Sequence, residues 1–476
     1  MDEKDEIIAK QAKRIAELEA MVAELQDVVK ELRRQLSLDS HNSSKPPSSD
    51  GLKKVAHTRS LRKQSGKKPG GQEGHQGAHM AIPHEPDEVK QHFPAKCQIC
   101  PHLTDCLAKD GVFDCAEKRY EVNVVIRAKV TEHQAMKTEH CPCGEEELRG
   151  SFPENVKAYV QYGNSVGVLA TMLNTYGAVS LDRVHVMLGS TLGVSLSPAT
   201  VLSMVRKTRA NVSSTLDTIK EMLKDEPVVN FDETGARVAG KLEWVHNASS
   251  KTLTYQTLSE KRGQKGMEES GVLPFFTNVA VHDCWASYWK YTEATHAICC
   301  AHLLRELTSV AECNPTHLWP ILFHDLLLDM KRIVAKKAEQ GKQAVSHYFQ
   351  KKFSTKYRLI LTLAGRECPP PEVDQDGKHR VKRGKERALI DRLGKYEGEI
   401  CRFTRDFRVP FDNNQAERDL RNIKTKVKVS GCFRTSAGCS DYLGIMSYLS
   451  TGRKHNVSPL DALSAALSGS PDIVLS

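Results

Sequence analysis

Residues 228–259 read VVNFDETGARVAGKLEWVHNASSKTLTYQTLS, and their periodicity breaks with the helical pattern before them. The apolar run VVNF ends at Asp232, which predicts a short buried strand with an acid at its end. KLEWVHNAS and KTLTYQTLS predict two further strands. A helical break, KGMEES, follows, and NVAVH predicts a fourth strand ending at Asp283. HAICCAH then reads as another short strand leading into the helix LLRELTSVAE.

Strand, strand, strand, helix, strand, with acids at the ends of the first and fourth strands, is the layout of a ribonuclease H-like α/β fold. Carboxylates in such places suit two Mg²⁺ ions about 3.5–4 Å apart, one activating an attacking oxygen and one stabilising a leaving oxygen. Hard oxygen ligands fit Mg²⁺, or Mn²⁺ in its place. The third candidate acid is Glu417, in FDNNQAERDLRNIKTKVKVSG, where a helix start could swing it over the strand ends. A competing reading makes Asn414 and Glu417 a capping box. The interval between Asp283 and Glu417 exceeds what a bare catalytic fold needs, so a mainly helical insertion is expected over about 305–406. Within it, GRECPPPEVDQDGKHRVKRGK is polar and proline-rich, as a loop would be. His302, Arg305 and Glu306 open the insertion's first helix and are candidate accessory active-site residues. Alternatively they cap and brace that helix.

Working outward, 151–224 reads as helical. Ser180 suits a helix N-cap, and Ser197-Pro198 suits a cap followed by a first-turn proline for a helix ending near Arg206, Lys207 and Arg209. Two short helices with a basic second one allow a helix-turn-helix, although any helical bundle has the same pattern. Residues 96–150 hold Cys97-x-x-Cys100 and Cys141-x-Cys143, which resemble the two knuckles of a structural zinc site. The second pair is one residue short, so His140 with Cys143 competes with Cys141, and buried free thiols are the alternative. Residues 39–95 form a Ser-, Pro-, Gly- and Lys-rich tether. Lys53, Lys54, Arg59, Arg62, Lys63, Lys67 and Lys68 lie there in a stretch without acids.

Residues 1–38 carry heptads: Ile8, Ile15, Val22, Val29 and Leu36 at one position, Leu18, Leu25 and Leu32 three residues on. β-Branched residues at a with leucine at d favour a parallel two-stranded coiled coil, hence a homodimer. Met21 and Val28 widen the stripe and leave a higher-order bundle, or packing on the protein's own body, open. Arg14 and Glu19 suit an interchain pair.

The 476 residues are too many for one core, so several domains are expected. The expected divisions are 1–38, 39–95, 96–150, 151–224, 225–430 with its insertion, and a helical 431–476. No spanning segment or secretory signal is legible, which places the chain in the cytoplasm without a membrane partner. Fourteen cysteines in that reducing compartment argue against a disulfide framework. The net charge of +9 is concentrated in the tether and in a second cluster of Arg418, Arg421, Lys424, Lys426, Lys428 and Arg434, opposed only by Asp419. Such clusters suit a polyanion, and equally a solvated helix face.

The chain resembles the transposases of the insertion sequence 66 family over nearly its whole length. The resemblance rests on NSSKPPSSD, KPGGQEGHQG, YEVNVVIRAKVTEH, FPENVKAYVQYG, FDETGARVAGKLEWVH, VHDCWASY, HAICCAHLLREL, NNQAERDLR and SYLSTGRKHNVSPLDAL. It implies an Asp-Asp-Glu transposase with an N-terminal leucine zipper, a zinc region, a helix-turn-helix and a split catalytic domain. The three acids map to Asp232, Asp283 and Glu417. The expected partners are DNA, as element ends and target, a second copy of the chain, and companion proteins of the same element. The family's zinc region has a second CxxC, from which Cys141-Pro-Cys143 departs. Arg206, Lys207, Arg209, Arg418, Arg421, Lys424 and Lys428 join the tether residues as expected DNA contacts. A DNA-binding regulator derived from such an enzyme, without chemistry, is the alternative.

Overall fold

The computed structural model describes residues 3–37, 85–109, 113, 115–124, 126–140, 146–370 and 384–475. Two compact units divide the chain, 60–130 and the remainder. Within 60–130 the described regular structure is two single-turn helices. Between α1 (Glu3–Ser37) and the rest, these are α2 (Ala95–Gln98) and α3 (Leu103–Leu107). Phe93 and Phe113 meet edge to face at 5.0 Å in this unit. Helix α1 spans the heptad segment, and its Ile15, Leu18, Met21, Val22, Leu25, Val28, Val29, Leu32 and Leu36 are exposed in the single chain. Arg14 pairs within the helix, with Glu17 at 3.0 Å.

Beyond residue 131, β1 (Lys137–His140) and β2 (Glu146–Arg149) form a small antiparallel ladder. Four helices follow: α4 (Asn164–Asn174), α5 (Leu181–Leu192), α6 (Pro198–Asn211) and α7 (Ser213–Asp225). Ser180 and Ser197 both accept capping bonds, from the backbone N–H of Arg183 and Thr200. Helix α6 continues past Arg209 to Asn211. Val184, Leu188, Leu196 and Val201 pack with Ala170 into a small core of their own.

The main body is a five-stranded mixed sheet of β3 (Val228–Val238), β4 (Lys241–Ser249), β5 (Thr254–Ser259), β6 (Val279–His282) and β7 (Thr295–Ile298). Helix α8 (Gln264–Ser270) stands between β5 and β6. The spatial order is β5-β4-β3-β6-β7; the first three strands are antiparallel, while β3, β6 and β7 run parallel. The strand carrying Asp232 does not stop there. It continues to Val238 and turns through Ala239 and Gly240, both at positive φ (48° and 79°), into β4. Two left-handed residues match the twist of a two-residue hairpin. Parallel pairing of β3 with β6 nevertheless ends at Asn230, so Asp232 lies just past it.

Helices cover both faces. Between β7 and residue 405 come α9 (Cys300–Cys313), α10 (Trp319–Glu339), α11 (His347–Glu367), α12 (Lys385–Lys395), α13 (Glu397–Ile400) and α14 (Arg402–Arg405). Then follow α15 (Asn414–Asp419), α16 (Arg421–Ser430), α17 (Ser436–Lys454) and α18 (Pro459–Ser468). Adjacent β6 residues face opposite cores. Ala280 joins the one built with α7, α17 and α18, whereas Val281 joins the one built with α9 to α12. The edge strand β5 would expose unpaired N–H groups. Helix α17 covers it, with Ser447 Oγ accepting from Gln256 N at 2.9 Å and Thr451 Oγ1 from Thr254 N at 3.1 Å. No described helix is long and apolar enough to cross a membrane.

Candidate active site

Parallel strands end their hydrogen-bonding at a crevice on their carboxyl side, where ligands commonly bind. Asp232 sits just past the end of the β3–β6 pairing, and Asp283 directly follows β6. Asp283 Oδ1 accepts the N–H of Trp285 at 2.9 Å, forming a tight turn in which Cys284 takes a positive φ of 73°. Behind that turn a chain of neutral imidazoles holds the strand end. The Cys284 N–H donates to His282 Nδ1 at 3.0 Å, His282 Nε2 meets His296 Nδ1 at 3.0 Å, and His296 Nε2 reaches Tyr291 O at 3.1 Å. With His282 Nδ1 accepting, its Nε2 carries the proton, and His296 then donates from Nε2. Burial depresses both imidazoles, His282 strongly, which fits this neutral relay.

Glu417 arrives on α15, and the anchoring of that helix explains its position. Asn413, fully buried, donates from Nδ2 to Phe231 O at 2.8 Å and accepts from Asn230 Nδ2 at 2.8 Å. Its backbone N–H donates to Cys299 Sγ at 3.1 Å, so β3, the start of α9 and α15 meet at one asparagine. On the far side, Asp419 is buried against Lys454 Nζ at 3.1 Å and accepts from Ser249, Thr254, Ser450 and Gln415. Burial alone would raise the Asp419 carboxyl; Lys454 and these hydrogen bonds outweigh it and hold it low. The capping-box reading of Asn414 does not survive. The N-cap is Asn413, without a side-chain cap bond, and Glu417 Oε1 accepts from Arg305 at 3.1 Å.

These elements bring the three acids into one electrostatic neighbourhood. The Asp232 carboxyl is pushed well above its ordinary range by burial first, then by the charges of Glu233, Asp283 and Glu417. A divalent cation is the natural compensation for such a cluster. Among the described residues no three His, Cys, Asp or Glu side chains form a group ready to hold one ion. Two ions sharing Asp232 would not need one, since Mg²⁺ commonly takes one or two carboxylates and completes its shell with water and phosphate.

Glu233, Arg262 and Tyr288 escaped the reading of the sequence. Glu233 is 1% exposed at its side chain and accepts from Arg262 at 2.9 and 2.7 Å and from Tyr288 Oη at 2.7 Å. Burial raises its carboxyl, Asp283 adds to that, and the Tyr288 and Arg262 hydrogen bonds pull it back. The Arg262 guanidinium lies over the rings of Trp285 and Trp244, 4.3 and 5.0 Å from their centroids. This cluster joins the neighbour of Asp232 to the turn after Asp283. The only sequence signal was an acid next to Asp232.

Of the accessory candidates, Arg305 and His302 stand at Glu417, His302 Nε2 being 3.9 Å from Oε1. Glu306 pairs instead with Arg392 of α12. Arg421, Lys424 and Lys428 are exposed along one face of α16, with Arg418 exposed just before them. Two members of that charge cluster behave otherwise. Asp419 is buried and paired with Lys454, and Lys426 points inward, donating to Asn174 O at 2.8 Å with its ammonium depressed by burial to about 8. On α6, Arg206 and Lys207 are exposed, whereas Arg209 is half-buried and lies against Gly444 of α17. Cys97 and Cys100 are half-buried. Cys141, Cys143 and the side chain of His140 lie outside the described residues, as do the tether's Lys53, Lys54, Arg59, Arg62, Lys63, Lys67 and Lys68.

A family model described as "Transposase IS66 family" matches residues 161–441, a span that contains Asp232, Asp283 and Glu417. A second, described as "Family of unknown function (DUF6444)", matches residues 4–81. No curated protein matches the chain.

Proposed function

The chain belongs to the IS66 family of transposases, and from that premise we propose that it cleaves element-end DNA and joins the ends to a target at Asp232, Asp283 and Glu417. The sheet order β5-β4-β3-β6-β7, with only β4 antiparallel to both neighbours, supports a ribonuclease H-like reading of the catalytic domain. The observation that carries the proposal is the convergence of the three acids, felt at Asp232, beside the ends of the parallel strands. Bound Mg²⁺ or Mn²⁺ would activate the attacking oxygen and stabilise the leaving one. The chain's own part is to hold those ions with the three carboxylates and to hold DNA across them. The exposed Arg418, Arg421, Lys424 and Lys428 suit backbone phosphates, which position DNA without reading its sequence. End recognition falls to the tether, the cysteine region and the α5–α6 pair, read as a helix-turn-helix with Arg206 and Lys207 outward.

Amide substitutions separate chemistry from binding. Asp232→Asn, Asp283→Asn and Glu417→Gln should abolish metal-dependent cleavage and joining of element-end DNA. Binding in a gel shift without metal should stay within a few-fold, because removing negative charge does not weaken phosphate attraction. Strand joining by any of the three at wild-type rate would remove that residue from the triad. Absence of cleavage by the wild-type chain, with intact binding, would favour a DNA-binding regulator. One zinc ion per chain, read from the cysteine spacing, is part of the same proposal. Elemental analysis should find it in the wild-type protein and not in Cys97→Ser.

A further inference from the structure

Glu417 and Arg305 form a direct ion pair at the triad: Arg305 Nη2 donates to Oε1 at 3.1 Å, with the side chains 16% and 14% exposed, and His302 Nε2 lies 3.9 Å from the same oxygen. Arg305 Nε is also tied to Ala301 O, one turn back on α9, at 3.2 Å. That second bond keeps the guanidinium at the edge of the site whatever Glu417 does. An arginine cannot shed its proton at any working pH, so it can neither ligate an ion nor become neutral beside one. A cation approaching the carboxylate cluster must therefore compete with Arg305 for Glu417.

We propose that Arg305 is the resident counter-ion of Glu417, exchanged for a divalent ion when the site is loaded, and that its freed guanidinium then grips the phosphate being attacked. This rests on the reading of Glu417 as a metal ligand. The exchange keeps the carboxylate compensated at every stage: in the unloaded chain by arginine, in the loaded chain by the ion. In the unloaded chain one oxygen of Glu417 is engaged by Arg305. The released guanidinium has a planar fork of donors suited to a phosphate, and its Nε tether limits it to the site's edge.

A brace and a counter-ion make opposite forecasts. If Arg305 only braces Glu417, Arg305→Gln loosens the ligand and weakens ion binding. If it competes, the same change tightens Mn²⁺ binding by about three- to tenfold, the scale expected for losing a neighbouring charge-assisted pair. Free Mn²⁺ is read by electron paramagnetic resonance in titrations of the full chain without DNA. At saturating Mn²⁺, Arg305→Gln should still cleave element-end DNA at least about tenfold more slowly, having lost a phosphate contact. Arg305→Lys keeps the charge and should hold Mn²⁺ affinity near wild type. In a Glu417→Gln background, Arg305→Gln should no longer tighten Mn²⁺ binding. Unchanged or weaker Mn²⁺ binding by Arg305→Gln, with Glu417→Gln itself weakened, overturns the exchange alone. Unchanged affinity in Glu417→Gln overturns the metal reading of Glu417 as well.

Discussion

Asp232 is costly to the chain when no divalent ion is bound, because burial and neighbouring acids disfavour its charged form. Burial and three neighbouring acids raise its carboxyl in the folded state, so the folded chain holds a proton that the unfolded chain releases above about pH 4. Folding is then favoured below that pH, and the advantage is lost as pH rises through the raised folded value. Asp232→Asn removes the group without changing its shape. In metal-free urea unfolding, the variant should match wild type most closely near pH 5 and exceed its stability by a margin that widens toward pH 8. A constant margin would mean that Asp232 is not electrostatically crowded. Glu233 sets a second residue-level expectation. Arg262→Ala strands a buried carboxylate, with a cost of about 2–3 kcal/mol in urea unfolding at pH 7, below that of a wholly buried pair because Arg262 is 39% exposed. Arg262→Lys should recover part of this loss, since an ammonium cannot reproduce the fork to Glu233 and the stacking on two indoles. Full recovery would show that charge alone matters there.

At the scale of elements, α15 is too short to hold its own position and depends on its two ends. Asn413→Ala would leave Phe231 O and Asn230 Nδ2 without their buried partner, costing about 1–3 kcal/mol by chemical denaturation. Because the same asparagine aims Glu417, cleavage should fall further than the loss of folded protein explains, while metal-free DNA binding persists. Equal losses in both would make Asn413 a stability residue only. The strands of the main sheet and a few helix starts were legible because period, caps and turn residues are local signals: Ser180, Ser197-Pro198, and the alternation of KLEWVHNAS. The full length of β3 was not, since DETGAR after Asp232 is polar and extends only because β4 folds back along it through Ala239-Gly240. Asn413, Asp419 and Lys426 were equally opaque. Each looks like an ordinary polar residue of a basic, solvated segment, and each is buried by partners far away in the chain. The three acids proposed as the triad stand out in the sequence by their order and their places on the strands and helix; the neighbouring Glu233 does not, because only Arg262 and Tyr288 reveal why an acid is buried there.

On the scale of the whole molecule, α1 presents Ile15, Leu18, Val22, Leu25, Val29, Leu32 and Leu36 to solvent in the single chain. A stripe of that regularity fits a second copy of the same helix. Light scattering should therefore find a dimer or larger species, reduced to a monomer by Leu18→Lys with Leu25→Lys, which bury charge in the seam. An unchanged mass would put any self-association elsewhere. Dimerisation would hold two catalytic bodies for two element ends, but the account stands or falls on what the three acids hold. The most direct measurement exchanges ligand softness: Asp283→Cys assayed for cleavage of element-end DNA in Mg²⁺ and in Mn²⁺. A thiolate is a poor partner for Mg²⁺ and a better one for Mn²⁺. The account predicts cleavage lost in Mg²⁺ and recovered at least in part in Mn²⁺, with DNA binding intact in both. Cleavage by Asp283→Cys that is equally strong in the two ions would contradict it, because Asp283 would then not touch the metal.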